Sequence, residues 1–262
     1  MPQKFPLNFR EAREEVEERV STPKIKGEGI ILAPSFIKDS ENYIGIPQYK
    51  TLIARRESLH GFDFTNTLEQ IKAKDSRFFM PPIAYFMRHF FNVQEATQGK
   101  RVLYDGRGNP LPKNETDNLW QYFTSTNRDQ FGRENEDKLF WSWLNARFVS
   151  GNGFNKLDMQ TFNVPNYPAL QPLEQCLWRD TYAVIDSGKF NKQGIPMQDI
   201  QTQDNYLEGN NIRFGCPREN YVAWVRADSG WAFLYCFGGP SFRDDALGVF
   251  VCAEGATRET RR

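Results

Sequence analysis

Histidine is almost missing from this chain: His60 and His89 are the only two among 262 residues. Neither sits in HExxH, and no GxSxG or P-loop is present, so metalloprotease, α/β-hydrolase and nucleotide-hydrolase chemistry lose their usual signatures. His60 precedes a turn glycine and His89 lies in an aromatic cluster; both read as structural. Cysteine is sparse too, at 176, 216, 236 and 252. Without a CxxC pair a zinc reading is poor, and the four read as buried or half-buried free thiols, with Cys236 and Cys252 placed to face each other on neighbouring strands. No charge excess exists, since 33 basic residues balance 33 acidic ones. No global field therefore draws the chain to nucleic acid or an anionic membrane. Long apolar runs are absent as well. The longest cluster, Phe78 to Phe91, is broken by Pro81, Pro82, Arg88 and His89, and the first twenty residues hold no apolar core of signal-peptide length. The expectation is no membrane insertion, and residence in the cytoplasm or in a particle.

What is present argues for a folded protein. Hydrophobic residues make up 39%, charged residues 25% and aromatics 15% of the chain, a composition for a packed, aromatic-rich core. The length suits one large domain or two small ones.

Taken in order, Asn8 to Val20 is a charged helix with a narrow apolar stripe. Ile25 to Ala33, Tyr43 to Ile46 and Lys50 to Ala54 read as strands. Phe64 to Ala73 reads as a helix capped by Thr65 or Asn66, and a second helix follows Pro82. Gly99 to Leu111 reads as a strand and turn; Asp117 or Asn118 caps a further helix through Phe123. Leu139, Phe140, Trp143, Leu144 and Phe148 fall near helical spacing, so Glu134 to Val149 reads as helix, or helix passing into strand. From Gly151 onward Gly, Asn, Pro and Asp become frequent and helical periodicity stops. Turns are expected at Asp186-Ser187-Gly188 and Gly194-Ile195-Pro196, and Trp178, Tyr182, Val184 and Ile185 mark an apolar patch. The carboxylates Asp186, Asp199, Asp204 and Glu208 read as solvated loop residues, since no DxDxDG spacing accompanies them. Trp141, Trp143, Trp178 and Trp224 read as core.

The most informative stretch runs from Arg218 to Glu254. From Tyr221 to Val251 it has no Lys, Glu, Gln or Met. Strand propensity accounts for part of that absence, but not for the crowding of Tyr, Phe, Ser, Asp, Arg and Gly. Two apolar strands, 221–225 and 246–253, bracket a middle that mixes rings with small polar and charged residues, as recognition surfaces do. Alternation in a strand puts Trp231, Phe233, Tyr235 and Phe237 on one face and Ala232, Leu234 and Cys236 on the other. An exposed row of rings that size marks an interaction site.

The pattern ENxVAWxxAxSxxAxLxCxxxPSxxxxALGVFxCAEG resembles the variable region of proteins diversified by retroelements. In that family, inaccurate copying of template adenines yields many residue types but never Lys, Glu, Gln, Met or Trp; here Trp231 stands outside that set. The resemblance implies an α+β, C-type lectin-like fold with a loop-rich C-terminal half, assigned to 118–262. Residues 1–117 form an N-terminal elaboration, left open as a separate unit or part of the same domain. It also implies a non-catalytic protein that binds a protein or surface ligand through Arg226, Asp228, Ser229, Trp231, Phe233, Tyr235, Phe237, Gly238, Ser241, Phe242, Arg243, Asp244 and Asp245, with no cofactor and no metal. Two alternatives stay open: an enzyme on the related scaffold of formylglycine-generating enzymes, for which Cys236 and Cys252 are the candidate reactive pair, and a phage or particle structural protein.

Overall fold

The computed structural model describes residues 29–124, 140–186, 189–207, 211–228 and 231–258. The helix expected over 8–20 and the turn at 187–188 lie outside them. Among the described residues the architecture is mixed α+β, mostly sheet. The first part of the chain carries β1 (Ile30–Leu32), β2 (Tyr43–Ile46) and β3 (Thr51–Ala54), then α1 (Phe64–Lys74), β4 (Phe78–Phe79), α2 (Ile83–Thr97) and α3 (Lys113–Thr124). The second part carries β5 (Phe140–Ser150), β6 (Leu157–Gln160), β7 (Leu170–Pro172), β8 (Ala183–Asp186), β9 (Thr202–Gln203), β10 (Asn211–Gly215), β11 (Val222–Asp228), β12 (Trp231–Gly238), β13 (Leu247–Gly248), β14 (Cys252–Glu254) and β15 (Ala256–Arg258).

The large sheet has the order β7-β6-β5-β11-β12-β10-β8-β9, with β13 pairing parallel to β5. Its centre is antiparallel, β5 to β11 to β12, while β10 runs parallel to β12. A smaller sheet, β2-β3-β14-β4, takes its third strand from the far end of the chain, and β15 pairs with β1. The last described strand therefore pairs with the first. One hydrophobic core runs from Ile44 through α2 and α3 to Cys252, crossing the 117/118 boundary drawn from sequence.

Local chemistry explains the helices. Asp63, rather than Thr65 or Asn66, caps α1: its carboxylate accepts the Asn66 N–H at 2.9 Å, satisfying one of the orphan donors of the first turn. α2 starts after Pro82 as expected, and most of its side chains are buried. α3 starts at Lys113, so Asp117 and Asn118 lie inside the helix; Pro112 sets the entry, and its carbonyl accepts the Thr116 N–H at 3.1 Å. Residues 99–111 form no regular strand, only bridges from Tyr104 to Pro110 and from Asp105 to Ile44.

The helical reading of Glu134 to Val149 is corrected over 140–149, which are strand β5; 134–139 fall outside the described residues. The reason is burial on both faces. Trp143 packs with Phe64 and Val249 on one side, while Leu144, Ala146 and Phe148 enter the main core on the other. Nothing alternates when both faces are covered, so the period-2 signal disappears. The strand expected at 246–253 is two short pieces, β13 and β14, serving different sheets. Asn145, wholly buried on β5, ties the sheet to its surroundings: its side chain accepts the Phe162 N–H at 2.8 Å and donates to the carbonyls of Phe162 at 2.6 Å and Met80 at 3.3 Å.

Candidate recognition surface

Strands β11 and β12 each divide their residues between two environments. Ala223, Val225, Ala227, Ala232, Leu234 and Cys236 face inward, all within 2% of complete burial, with α3 packed against both strands and Phe250 bridging Phe86 and Phe123 beneath. The residues between them face outward. Pairing registers place these in lateral rows. Trp141, Arg226, Phe233 and Arg213 stand side by side across β5, β11, β12 and β10; Trp143, Trp224, Tyr235 and Gly215 form the row beside it.

The outer rings make one continuous bed. Phe233 stacks on Tyr235 at 4.9 Å between centroids, and Tyr235 meets Phe237 edge-on at 5.3 Å. Tyr182, at the entrance to β8, touches all three at 5.7–5.8 Å. In the other direction Trp224 lies 5.8 Å from Tyr235, 5.4 Å from Phe242 and 5.1 Å from Trp141. These edge and offset geometries are the favoured ones for aromatic pairs. Glycine permits the close approach. A Cβ at Gly215 would stand 2.2 Å from the Phe237 ring, and one at Gly238 would stand 2.8 Å from the ring of Trp224.

Cations are set on the rings. The Arg226 guanidinium lies 4.5 Å from the Trp141 ring centre, Arg218 lies 5.0 Å from Phe237, and Arg213 lies 5.2 Å from Phe233 and 5.9 Å from Tyr206. Each combines charge with a flat apolar face. At the rim, the 239–246 loop is pinned to α1: Phe64 N–H donates to the Pro240 carbonyl at 3.1 Å, and Arg243 pairs with Asp63 at 2.6 Å. The Asp244 carboxylate accepts the Ala246 N–H at 2.9 Å, closing a turn. Behind the rim, the Trp143 indole donates to the Phe62 carbonyl at 3.0 Å.

The expected site residues thus fall into four groups. Ser241, Phe242, Arg243 and Asp245 are exposed, with Asp244 half-buried beside them. Arg226, Tyr235 and Phe237 are half-buried on the outer face. Phe233, expected among the exposed rings, keeps only 8% of its surface because Tyr182, Tyr235 and Arg213 cover it. Gly238, expected as a contact, is buried against Trp224. Ser229 lies outside the described residues, as do the side chains of Asp228 and Trp231, which pair with each other at the ends of β11 and β12.

Other readings need revision. Of the four tryptophans assigned to the core, Trp143 is fully buried; Trp141 and Trp224 belong to the ring bed, and Trp178 is 41% exposed. Tyr182, Arg213 and Arg218 complete the bed and were missed. They come from separate segments, and only the alternation of Asn211–Gly215 hinted at an outward Arg213. Cys236 and Cys252 do not face each other, because β12 and β14 belong to different sheets. All four cysteines are free and buried, and burial pushes their thiols up, Cys176 to about 12. A thiol held protonated is a poor nucleophile. Asp199 is exposed and paired with Lys189, and Asp204 is exposed; Glu208 and the side chain of Asp186 lie outside the described residues. Among the described residues no group of three or more His, Cys, Asp or Glu side chains could hold a metal ion, and no helix is long and apolar enough to cross a membrane. No family model, curated protein or solved structure matches the chain.

Proposed function

We propose that this chain is a non-catalytic binding protein of C-type lectin-like fold, and that the outer face of β11 and β12 with the 239–246 loop is its recognition surface, diversified by a retroelement. The observation that carries the reading is the split between the two faces of one stretch. Inward positions hold small or aliphatic residues packed on the core, and outward positions hold rings and guanidiniums. Outward side chains can then change without re-forming the core, which is what a diversified surface needs. The segment that makes this face is the one lacking Lys, Glu, Gln and Met. Rigid rings supply contact area at small entropy cost, and Arg, Ser and Asp supply hydrogen bonding. Deeply buried thiols offer no support to the enzyme reading.

The test is genetic. DNA beside the gene should hold a near-copy of the 3′ coding end, differing mainly where the copy has adenine, together with a reverse transcriptase. Sister populations should differ at codons 226, 228, 233, 235, 237 and 241–245 and agree at 223, 225, 227, 232, 234 and 236. Identical outward codons across sister populations would sink the retroelement reading.

A further inference from the structure

Most of α2 is buried, but one stripe of it stays at the surface. Arg88, Phe91, Glu95 and the cap residue Gln98 recur at three- and four-residue spacing, which puts them on one helix face, and all four are half-buried or exposed. With Tyr49, Lys100 and the turn at 190–194 they line an open cleft of about 390 Å³. That volume falls among small-molecule sites, which run from about 300 to 1,000 Å³. None of its residues belongs to the ring bed.

The walls of the cleft are fixed by packing. Gly194 has φ +82°, and a Cβ there would meet the α2 backbone at Ala84 at 2.5 Å, so glycine is what lets the turn close on the helix. The Asn191 side-chain oxygen accepts the N–H groups of Gln193 at 3.0 Å and Ile195 at 2.9 Å, which shapes the turn. Phe190, half-buried, meets the Phe91 ring at 4.9 Å, and Tyr49 stacks on Tyr85 at 4.0 Å. The charges are one-sided. Glu95 is engaged by Arg101 at 2.8 Å. The side chains of Arg88 and Lys100 are exposed and have no ion-pair or hydrogen-bond partner among the described residues. Burial raises the Tyr49 phenol, and Arg88 lies close enough to oppose that rise.

We propose that this cleft binds a small aromatic carboxylate, with its ring against Phe91 and Phe190, its carboxylate on Arg88 and Lys100, and its polar edge on the Gln94 and Gln98 amides. The planar guanidinium fork matches a carboxylate, and a charge-assisted hydrogen bond is stronger than a neutral one. A cationic ligand would face two unpaired positive side chains and a carboxylate already engaged by Arg101. An aliphatic anion would make no use of the two half-buried rings. The inference goes beyond the recognition reading and does not depend on it, because the cleft and the ring bed share no residue.

The probes are benzoate, nicotinate and indole-3-carboxylate, titrated into the full chain by isothermal calorimetry, with indole-3-carboxamide as the neutral twin and acetate as the anion without a ring. The best of the three acids should bind about tenfold more tightly than either control. Arg88→Gln should weaken it about tenfold and Phe190→Ser about threefold. Arg88 is exposed, so its glutamine variant should keep the wild-type thermal midpoint, which calorimetry checks. Tyr235→Ser/Phe242→Ser should bind the acid as wild type does. Binding by none of the three acids, equal binding of acid and amide, or unchanged binding in both Arg88→Gln and Lys100→Gln overturns the carboxylate cleft. Loss of binding in the Tyr235→Ser/Phe242→Ser variant alone would place the acid on the ring bed and overturn it too.

Discussion

Neighbouring positions on β12 give the sharpest test of the two-faced sheet. Leu234 is fully buried between core residues, so Leu234→Ala leaves a cavity as well as losing transfer energy; about 3–5 kcal/mol is expected. Tyr235 and Phe242 lie on the other side. Tyr235 is half-buried and Phe242 is 38% exposed, so removing their rings opens space to solvent rather than an enclosed void. They lose ring contacts to Phe233, Phe237 and Tyr182, and to Trp141 and Trp224. At roughly 0.5 kcal/mol for each of these pairs, the double change to Ser should cost about 2–3 kcal/mol. For a chain of this size 1 kcal/mol moves the thermal midpoint by about 2–4 °C. Leu234→Ala should therefore lower it by roughly 6–20 °C, and the double surface variant by roughly 4–12 °C. Differential scanning calorimetry on both, with wild type alongside, reads the difference. A double variant that loses as much as Leu234→Ala would show that the outer rings are structural core, and the surface argument would fail.

Four further outcomes are expected. Asn145→Ala strands the Phe162 N–H and two carbonyls in the interior and should cost about 2–4 kcal/mol in denaturant unfolding. Asp63→Ala removes the α1 cap and should cost about 1 kcal/mol, whereas Arg243→Ala, losing only an exposed ion pair, should cost less than about 0.5 kcal/mol. Burial raises the Glu57 carboxyl to about 7 against the lowering hydrogen bond from the Tyr122 hydroxyl. The folded state therefore holds a proton that the unfolded state releases near pH 4.5, and stability present below that pH is lost as pH rises through 7; Glu57→Gln should flatten the midpoint-versus-pH curve between pH 5 and 8. His89 behaves oppositely: burial lowers it to about 3, and neither ring nitrogen has a partner among the described residues. Stability present above pH 6.5 is lost as pH falls toward 3, and His89→Leu should remove that acid loss while keeping the neutral-pH midpoint at or above wild type.

Much of the architecture was legible where local chemistry is strong. Tyr43–Ile46 and Thr51–Ala54 announced themselves as β-rich runs between turn residues, and Pro81-Pro82 marked the start of α2. The outward set on β12 followed from plain alternation, because only one face of that strand meets the core. β5 was illegible for the opposite reason: with Phe64 and Val249 over one face and the main core against the other, large apolar residues fall on both faces. The N-terminus of α3 was placed five or six residues late because Asp117 and Asn118 are good caps in isolation, while Pro112 had already set the turn. Tyr182, Arg213 and Arg218 join the site through pairings between β8, β10 and β12, which no local pattern encodes.

The burial gradient across the bed sets how far its side chains can vary. Phe233 lies under Tyr182, Tyr235 and Arg213 and acts as a floor. Phe237 lies against the backbone of Gly215, where even a Cβ would meet its ring at 2.2 Å. Arg243 and Asp245 stand on the rim in solvent, and Phe242 leans on Trp141 from outside. A small polar residue at 233 would uncover the Arg213 guanidinium and unseat Tyr182, whereas one at 243 or 245 would disturb only solvent and a surface ion pair. Tolerance should therefore rise from 233 through 235 and 237 to 241–245. Selection among variants would keep rings at the floor and spread its changes over the rim, so a saturation library sorted for folded protein should recover aromatic residues preferentially at 233 and nearly all residue types at 243 and 245. Uniform tolerance along the whole series would mean that the rings do not support one another, and that the bed is a set of independent side chains rather than a single packed layer.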